Sequence, residues 1–147
     1  MIKTFKRILL IIFSKLFKTD EIADKFPVSL KVAIIDDSRV LLLKNERNEW
    51  DLPGGKINFG EIAIDCLQRE IKEETNLEIN NVKLVDFFST IFFNQTAVLI
   101  VLYKAKILSA NHISISFEHF DYNFFSKNEI ISLNCPEEYK KSILELL

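Results

Sequence analysis

Residues 1–18, MIKTFKRILLIIFSKLFK, place Ile2, Phe5, Ile8, Leu9, Ile12 and Leu16 on one half of a helical wheel. Lys3, Thr4, Arg7, Ser14, Lys15 and Lys18 gather on the other half, with Leu10, Ile11 and Phe17 as exceptions. This pattern predicts a basic amphipathic helix. Its longest apolar run, Ile8 to Phe13, falls well short of the roughly 20 residues needed to span a bilayer. Lys15 interrupts the apolar stretch and no small-x-small site follows, so a secretory signal is not expected. Phe26-Pro27 ends this segment, and the pattern then changes period. The β-branched run Val28 to Ile35 and the run Val40 to Leu43 predict a hairpin across the Asp36-Asp37-Ser38 turn. Leu52-Pro53-Gly54-Gly55 breaks regular structure, and helical spacing runs from Glu61 to about Thr75. Two long apolar runs, Val82 to Phe93 and Ala97 to Ile107, meet at Asn94-Gln95 and predict an antiparallel pair. Ile113 to Phe117 and Tyr122 to Phe125 read as further short strands. Ser126 and Glu129 stand at capping-box spacing, and Pro136 opens a last helix from Glu137 to Leu147. The expectation is an α+β chain: a mixed sheet between helices, in an α/β/α sandwich.

Composition narrows the class. A chain of 147 residues, 48% hydrophobic and with 13 Phe, suits one domain with a full core. We expect residues 1–26 as the basic amphipathic segment and residues 27–147 as the folded domain. A net charge of −2 is too small to argue for nucleic acid as the main partner, and no specific nucleic acid is expected. That small total hides an asymmetry: residues 1–19 carry Lys3, Lys6, Arg7, Lys15 and Lys18 and no acid, leaving the remainder near −7 by subtraction. Cys66 and Cys135 form no CxxC pair and suggest neither a zinc site nor a disulfide framework. A cytoplasmic location, peripheral at the membrane if the amphipathic helix binds lipid, is the expectation. That helix has two open readings, docking on the domain or a second copy, and contact with anionic lipid. A homodimer stays open for the same reason.

The chemistry concentrates in residues 52–79, LPGGKINFGEIAIDCLQREIKEETNLEI. Glu70, Glu73 and Glu74 stand at i, i+3 and i+4 and share one side of the helix. A solvated acidic face is the bland alternative. Asp65, Gln68 and Lys72 nevertheless form a polar strip on the opposite side, with Ile64, Leu67 and Ile71 filling one arc between. The glutamates are therefore expected to face the body of the protein. Clustered carboxylates there need a cation, and hard oxygen donors select magnesium, calcium or manganese. Gly54 and Gly55 permit close backbone approach just before the helix.

Gly55, Glu61, Arg69-Glu70, Ile71, Glu73-Glu74 and Leu77 stand in register with the Nudix box, and this segment resembles that family. The fixed residues would coincide by chance about once in 10⁷ windows. Asn76 replaces the usual Gly, and Asn is the next-best residue for a left-handed helix end. Trp50-x-Leu-Pro-Gly-Gly, and Glu118-His119 ahead of Tyr122 and Phe124-Phe125-Ser126, are similar to the family as well. The likeness covers about residues 28–147 and implies the Nudix fold.

The resemblance implies magnesium, with manganese as a substitute, bound by Glu70, Glu73, Glu74 and the Gly54 carbonyl. It implies that Glu70 or a neighbour orients the attacking water, and that Arg69 holds the glutamates and loop in place. Glu70, Glu73 and Arg69 are thus the candidate catalytic residues. Glu118 is either a further metal ligand or an exposed loop glutamate, and Glu61 either supports the loop or partners the helix dipole. His119 reads as an exposed loop histidine. Trp50 and the Phe pairs at 87–88 and 92–93 either stack on a base or pack the core. Cys66 reads as a small packing residue. The implied activity is hydrolysis of a pyrophosphate bond in a nucleoside diphosphate linked to another group. Nucleoside triphosphates, ADP-ribose and similar small molecules qualify. The alternative is a nucleotide-binding sensor without turnover, in either case with a membrane-attached version open. The substrate-binding residues themselves are not legible.

Overall fold

The computed structural model describes residues 27–92, 96–109 and 112–147. The amphipathic helix expected within residues 1–26 and the Asn94-Gln95 connection lie outside the described residues. Strands β1 (Val28–Asp36) and β2 (Arg39–Lys44) form the expected hairpin. Asp37 and Ser38 take φ of 43° and 59°, the doubly left-handed turn whose twist matches the flanking strands. The apolar run Val40–Leu43 is continuous because β2 is buried on both faces. Its whole length pairs with β6 (Asp121–Ser126), while β1 and β3 (Trp50–Asp51) share its other edge at opposite ends. β1 then runs parallel to β5 (Thr96–Ser109), which pairs antiparallel with β4 (Glu78–Phe92). The order β3-β2-β1-β5-β4 is thus a mixed sheet, as the interspersed pattern predicts.

Helices cover both faces. On one, α1 (Ala63–Thr75) packs Cys66, Leu67 and Ile71 against Leu30, Val32, Ile34, Leu41 and Leu43. On the other, Ile130 of α2 (Lys127–Ser132) and Tyr139 and Ile143 of α3 (Glu137–Leu146) pack on Val40, Leu42, Ile100 and Leu102. Alternation along each strand divides the apolar residues between these two cores. At the start of α2, the Glu129 carboxylate accepts from the Ser126 N–H at 2.8 Å and the Ser126 hydroxyl at 2.6 Å. At the end of α1, Asn76 takes the left-handed conformation (φ 60°) and donates its N–H to the Lys72 carbonyl.

One expected strand is absent. Residues 113–117 pair with no neighbour in the sheet; the Ser114 and Ser116 N–H groups donate to the carbonyls of Thr75 and Glu74. Their alternating pattern serves the open carbonyls at the end of α1, which have no partner inside the helix. Among the described residues no helix is long and apolar enough to cross a membrane.

Candidate active site

The segment after β3 is bound to β1 as if it were a continuing strand. Val32 and Leu30 donate their N–H groups to the carbonyls of Pro53 and Gly55, and Ile57 donates to Val28. This ladder presses residue 54 onto the backbone of β1. A Cβ at Gly54 would sit 2.2 Å from the Leu30 carbonyl oxygen, and φ there is 126°. Both facts demand glycine. At Gly55 the space a Cβ would take is filled by the Glu70 carboxyl carbon, at 2.4 Å. The two glycines thus do different work: one admits the strand backbone, the other a carboxylate from α1.

Glu74 is the innermost of the box glutamates, 7% exposed. One of its oxygens accepts the Gly54 N–H at 2.8 Å, and the other lies 3.1 Å from His119 Nε2. Its backbone carbonyl also accepts from Ser116, so loop 113–120 is fastened to Glu74 at two levels. The His119 side chain is only 13% exposed, and its Nδ1 is buried without a partner. The expectation of an exposed histidine is therefore overturned. No sequence signal marks this contact, because residues 74 and 119 meet only when the loop packs on the end of α1.

Arg69 organises the opposite side of the helix. Its Nε and Nη2 donate to the two oxygens of Glu61 at 2.8 and 3.0 Å, a two-pronged pairing. Nη1 donates to Glu70 at 2.6 Å and reaches Glu73 at 3.4 Å, while Nη2 reaches the Lys56 carbonyl at 3.4 Å. The Arg69 fork and the Asn58 N–H hold the Glu61 carboxyl down at about 2. Its partners raise Arg69 above the ordinary arginine value. Glu70 goes the other way: burial pushes its carboxyl up against the opposing pull of Arg69, with Glu74 and Glu73 adding repulsion. Glu73 is 62% exposed and Ile64 37%, so α1 turns Glu70 and Glu74 inward but leaves Glu73 at the rim. Asp65, Gln68 and Lys72 are exposed, as the wheel predicts.

Glu118 is exposed and makes no hydrogen bond or ion pair among the described residues. Burial pushes the Cys66 thiol up to about 11, and its Sγ lies 3.6 Å from the Lys56 carbonyl, a packing environment. Trp50 meets Phe125 edge-on at 4.7 Å, and Phe88 packs on Tyr139 at 5.7 Å. Phe87 is exposed, and the side chains of residues 92 and 93 lie outside the described ones. Across the sheet from α1, Lys31 Nζ donates to Asp51 at 3.2 Å and to the Leu52 carbonyl at 2.8 Å. Sequence reasoning missed this pair. Its one signal was a lysine inside an apolar strand, a position that calls for a partner. Among the described residues no three His, Cys, Asp or Glu side chains converge as a ready metal cluster.

The NUDIX domain profile matches residues 25–146, and the chain belongs to the Nudix family. An uncharacterised Nudix hydrolase of Bacillus subtilis is 43% identical over 56 residues, which are 38% of this chain and 35% of that protein. The RNA pyrophosphohydrolase of Ruthia magnifica is 39% identical over 51 residues, 34% of this chain and 28% of that protein. The matched segment therefore spans about a third of these relatives. In three dimensions the chain resembles the crystal structure of a MutT Nudix hydrolase from Burkholderia pseudomallei, with a TM-score of 0.75 and 22% identity. That likeness covers 84% of this chain and all of the other, and shows the Nudix fold.

Proposed function

We propose that the chain is a pyrophosphohydrolase that cleaves a nucleoside diphosphate linked to a further group, using magnesium or, in its place, manganese. The observation that carries this reading is the locking of Gly54, Gly55, Glu70 and Glu74 into one loop–helix unit. A scaffold that excludes every side chain at residue 54 and makes room for a carboxylate at residue 55 suits a site where backbone and acids approach one ligand.

The residues fit a hard divalent cation. The donors are all oxygen: the Gly54 carbonyl and the carboxylates of Glu70, Glu73 and Glu74. The carboxyl of Glu70, pushed up by burial with repulsion from Glu74 and Glu73 added, would be relieved by a nearby positive charge. Such a cation neutralises a pyrophosphate and lowers the pKa of bound water. Glu70 and Glu73 orient the attacking water and the phosphates, and Arg69 keeps the Glu70 carboxylate aligned with the loop. Glu74 accepts the Gly54 N–H, which ties the glycine loop to the helix. Glu118, exposed on the same loop as His119, is the candidate for a further ligand from outside the box.

The relatives favour phosphoanhydride chemistry: one is an RNA pyrophosphohydrolase and one, among the structures, is a dihydroneopterin triphosphate pyrophosphohydrolase of E. coli. For this chain the substrate class is a small nucleotide, such as a nucleoside triphosphate or ADP-ribose, handled in the cytoplasm. A sensor without turnover would be favoured by loss of a box acid, and Glu61, Glu70, Glu73 and Glu74 are all present. The test is phosphate or pyrophosphate release over a panel of nucleoside diphosphate derivatives with magnesium. Turnover abolished by chelation, and cut by about two orders of magnitude or more in Glu73→Gln and Glu74→Gln, is the expected result. Near-normal activity in both variants overturns the assignment.

A further inference from the structure

The face of the sheet that carries α1 is not covered to its edge. On the outer strands, Leu84, Phe87 and Ile91 of β4 are 59%, 68% and 73% exposed. They stand opposite Tyr103, Val101 and Ala97 of β5, with Ser89 opposite Leu99. Leu99 and Val101 in turn pair with Val28 and Leu30 of β1. Since Leu30 and Val101 belong to the core beneath α1, this apolar strip lies on the same side as α1 and beyond it. Three large side chains lined up this far open to water, on the edge strand of a sheet, is a liability that soluble proteins cover.

Where the rest of the chain joins the domain matters here. Leu99 donates its N–H to the Pro27 carbonyl at 2.9 Å, so residue 27, to which residues 1–26 are joined, sits at the border of this strip. From Leu84 to Ile91 the strip is about 24 Å long, and an 18-residue helix is about 27 Å long. Residues 19–26, extended, reach roughly 26 Å, enough to lead such a helix back along the strands. Its apolar half, Ile2, Phe5, Ile8, Leu9, Ile12 and Leu16, is of the same chemistry as the strip. Its basic half carries five positive charges against a remainder near −7 by subtraction.

We propose that residues 1–18 dock in cis on the β4–β5 strip, with their apolar half against Leu84, Phe87 and Ile91. The segment then acts as a second helical cover on the α1 face of the sheet. The occupant is this chain and not a second copy or a membrane, because the tether ends at the strip and sets a high local concentration there.

The full-length protein tests this in two ways. In wild type, nuclear Overhauser contacts are expected between the methyls of Ile8, Leu9 and Ile12 and the Phe87 ring, within one molecule. In a Phe87→Gln/Ile91→Gln variant, tryptic cleavage at Lys3, Lys6, Arg7, Lys15 and Lys18 is expected to accelerate roughly tenfold, as the docked state opens. Both substituted side chains are mostly exposed, so the fold is retained; should the variant misfold, the contacts in wild type decide alone. Contacts seen only between differently labelled copies, at rising protein concentration, overturn the proposal in favour of a dimer. Weakened binding of the double variant to phosphatidylserine vesicles overturns it in favour of a lipid surface. Equal cleavage rates in wild type and variant overturn it outright.

Discussion

The two faces of the sheet are built from different materials. Under α2 and α3 the core is Val40, Leu42, Ile100, Leu102, Ile130, Tyr139 and Ile143, nearly all apolar. Beside α1 an apolar core is bordered by Arg69, Glu61, Glu70 and Glu74, tied to a glycine loop by short hydrogen bonds. Burial of apolar area stabilises the first face with little regard to exact geometry. The second holds carboxylates in positions that an isolated domain would avoid, Glu70 above all, whose burial raises its carboxyl. The contrast shows stability and chemistry assigned to opposite sides, with the Gly54 ladder to β1 as the seam between them.

The sharpest way to break the contrast is at that seam. Gly54→Ala forces a Cβ into the Leu30 carbonyl, so the loop must leave β1. Turnover is expected to be lost, with destabilisation of about 3 kcal/mol or more by urea denaturation. Next comes Ile143→Ala, on the apolar face and fully buried. It should cost about 2–5 kcal/mol while leaving turnover per folded molecule unchanged. A fall in that turnover would show that the two faces are coupled.

Arg69→Lys is smaller in stability but specific to the site. A lysine cannot reproduce the two-pronged pairing with Glu61 while also reaching Glu70. Turnover should drop about 10- to 100-fold with a thermal midpoint within a few degrees of wild type.

The smallest effect is in pH. Glu61 has a folded value of about 2, below its ordinary 4.5, so its contribution is present above pH 4.5 and is lost as pH falls toward 2. Glu70 has the opposite sign. Its raised value contributes stability below the ordinary carboxylate range, and that contribution is lost as pH rises through the raised value. Amide protection factors in residues 53–60, measured relative to the intrinsic exchange rate, should therefore fall between pH 4.5 and 2, and Glu61→Gln should remove that dependence.

Local chemistry by itself determined much of this molecule. The β1–β2 turn, the capping box at Ser126 and Glu129, and the left-handed Asn76 depend on residues a few positions apart, and each was legible. The spacing of Gly55, Glu61, Arg69, Glu70, Glu73 and Glu74 was equally plain, because a loop and the helix after it fold as one short unit. The sheet order was only coarsely readable, as β1 pairs with β5 some seventy residues on. Residues 113–117 show the limit: their alternation suits a strand, yet the unpaired carbonyls of Thr75 and Glu74 claimed their amides. Only tertiary structure placed His119 on Glu74 and Lys31 on Asp51, and turned Glu73 outward while Glu74 went in. Such contacts join segments distant in the chain, so no local pattern encodes them; they are decided by which faces the packing of the sheet brings together.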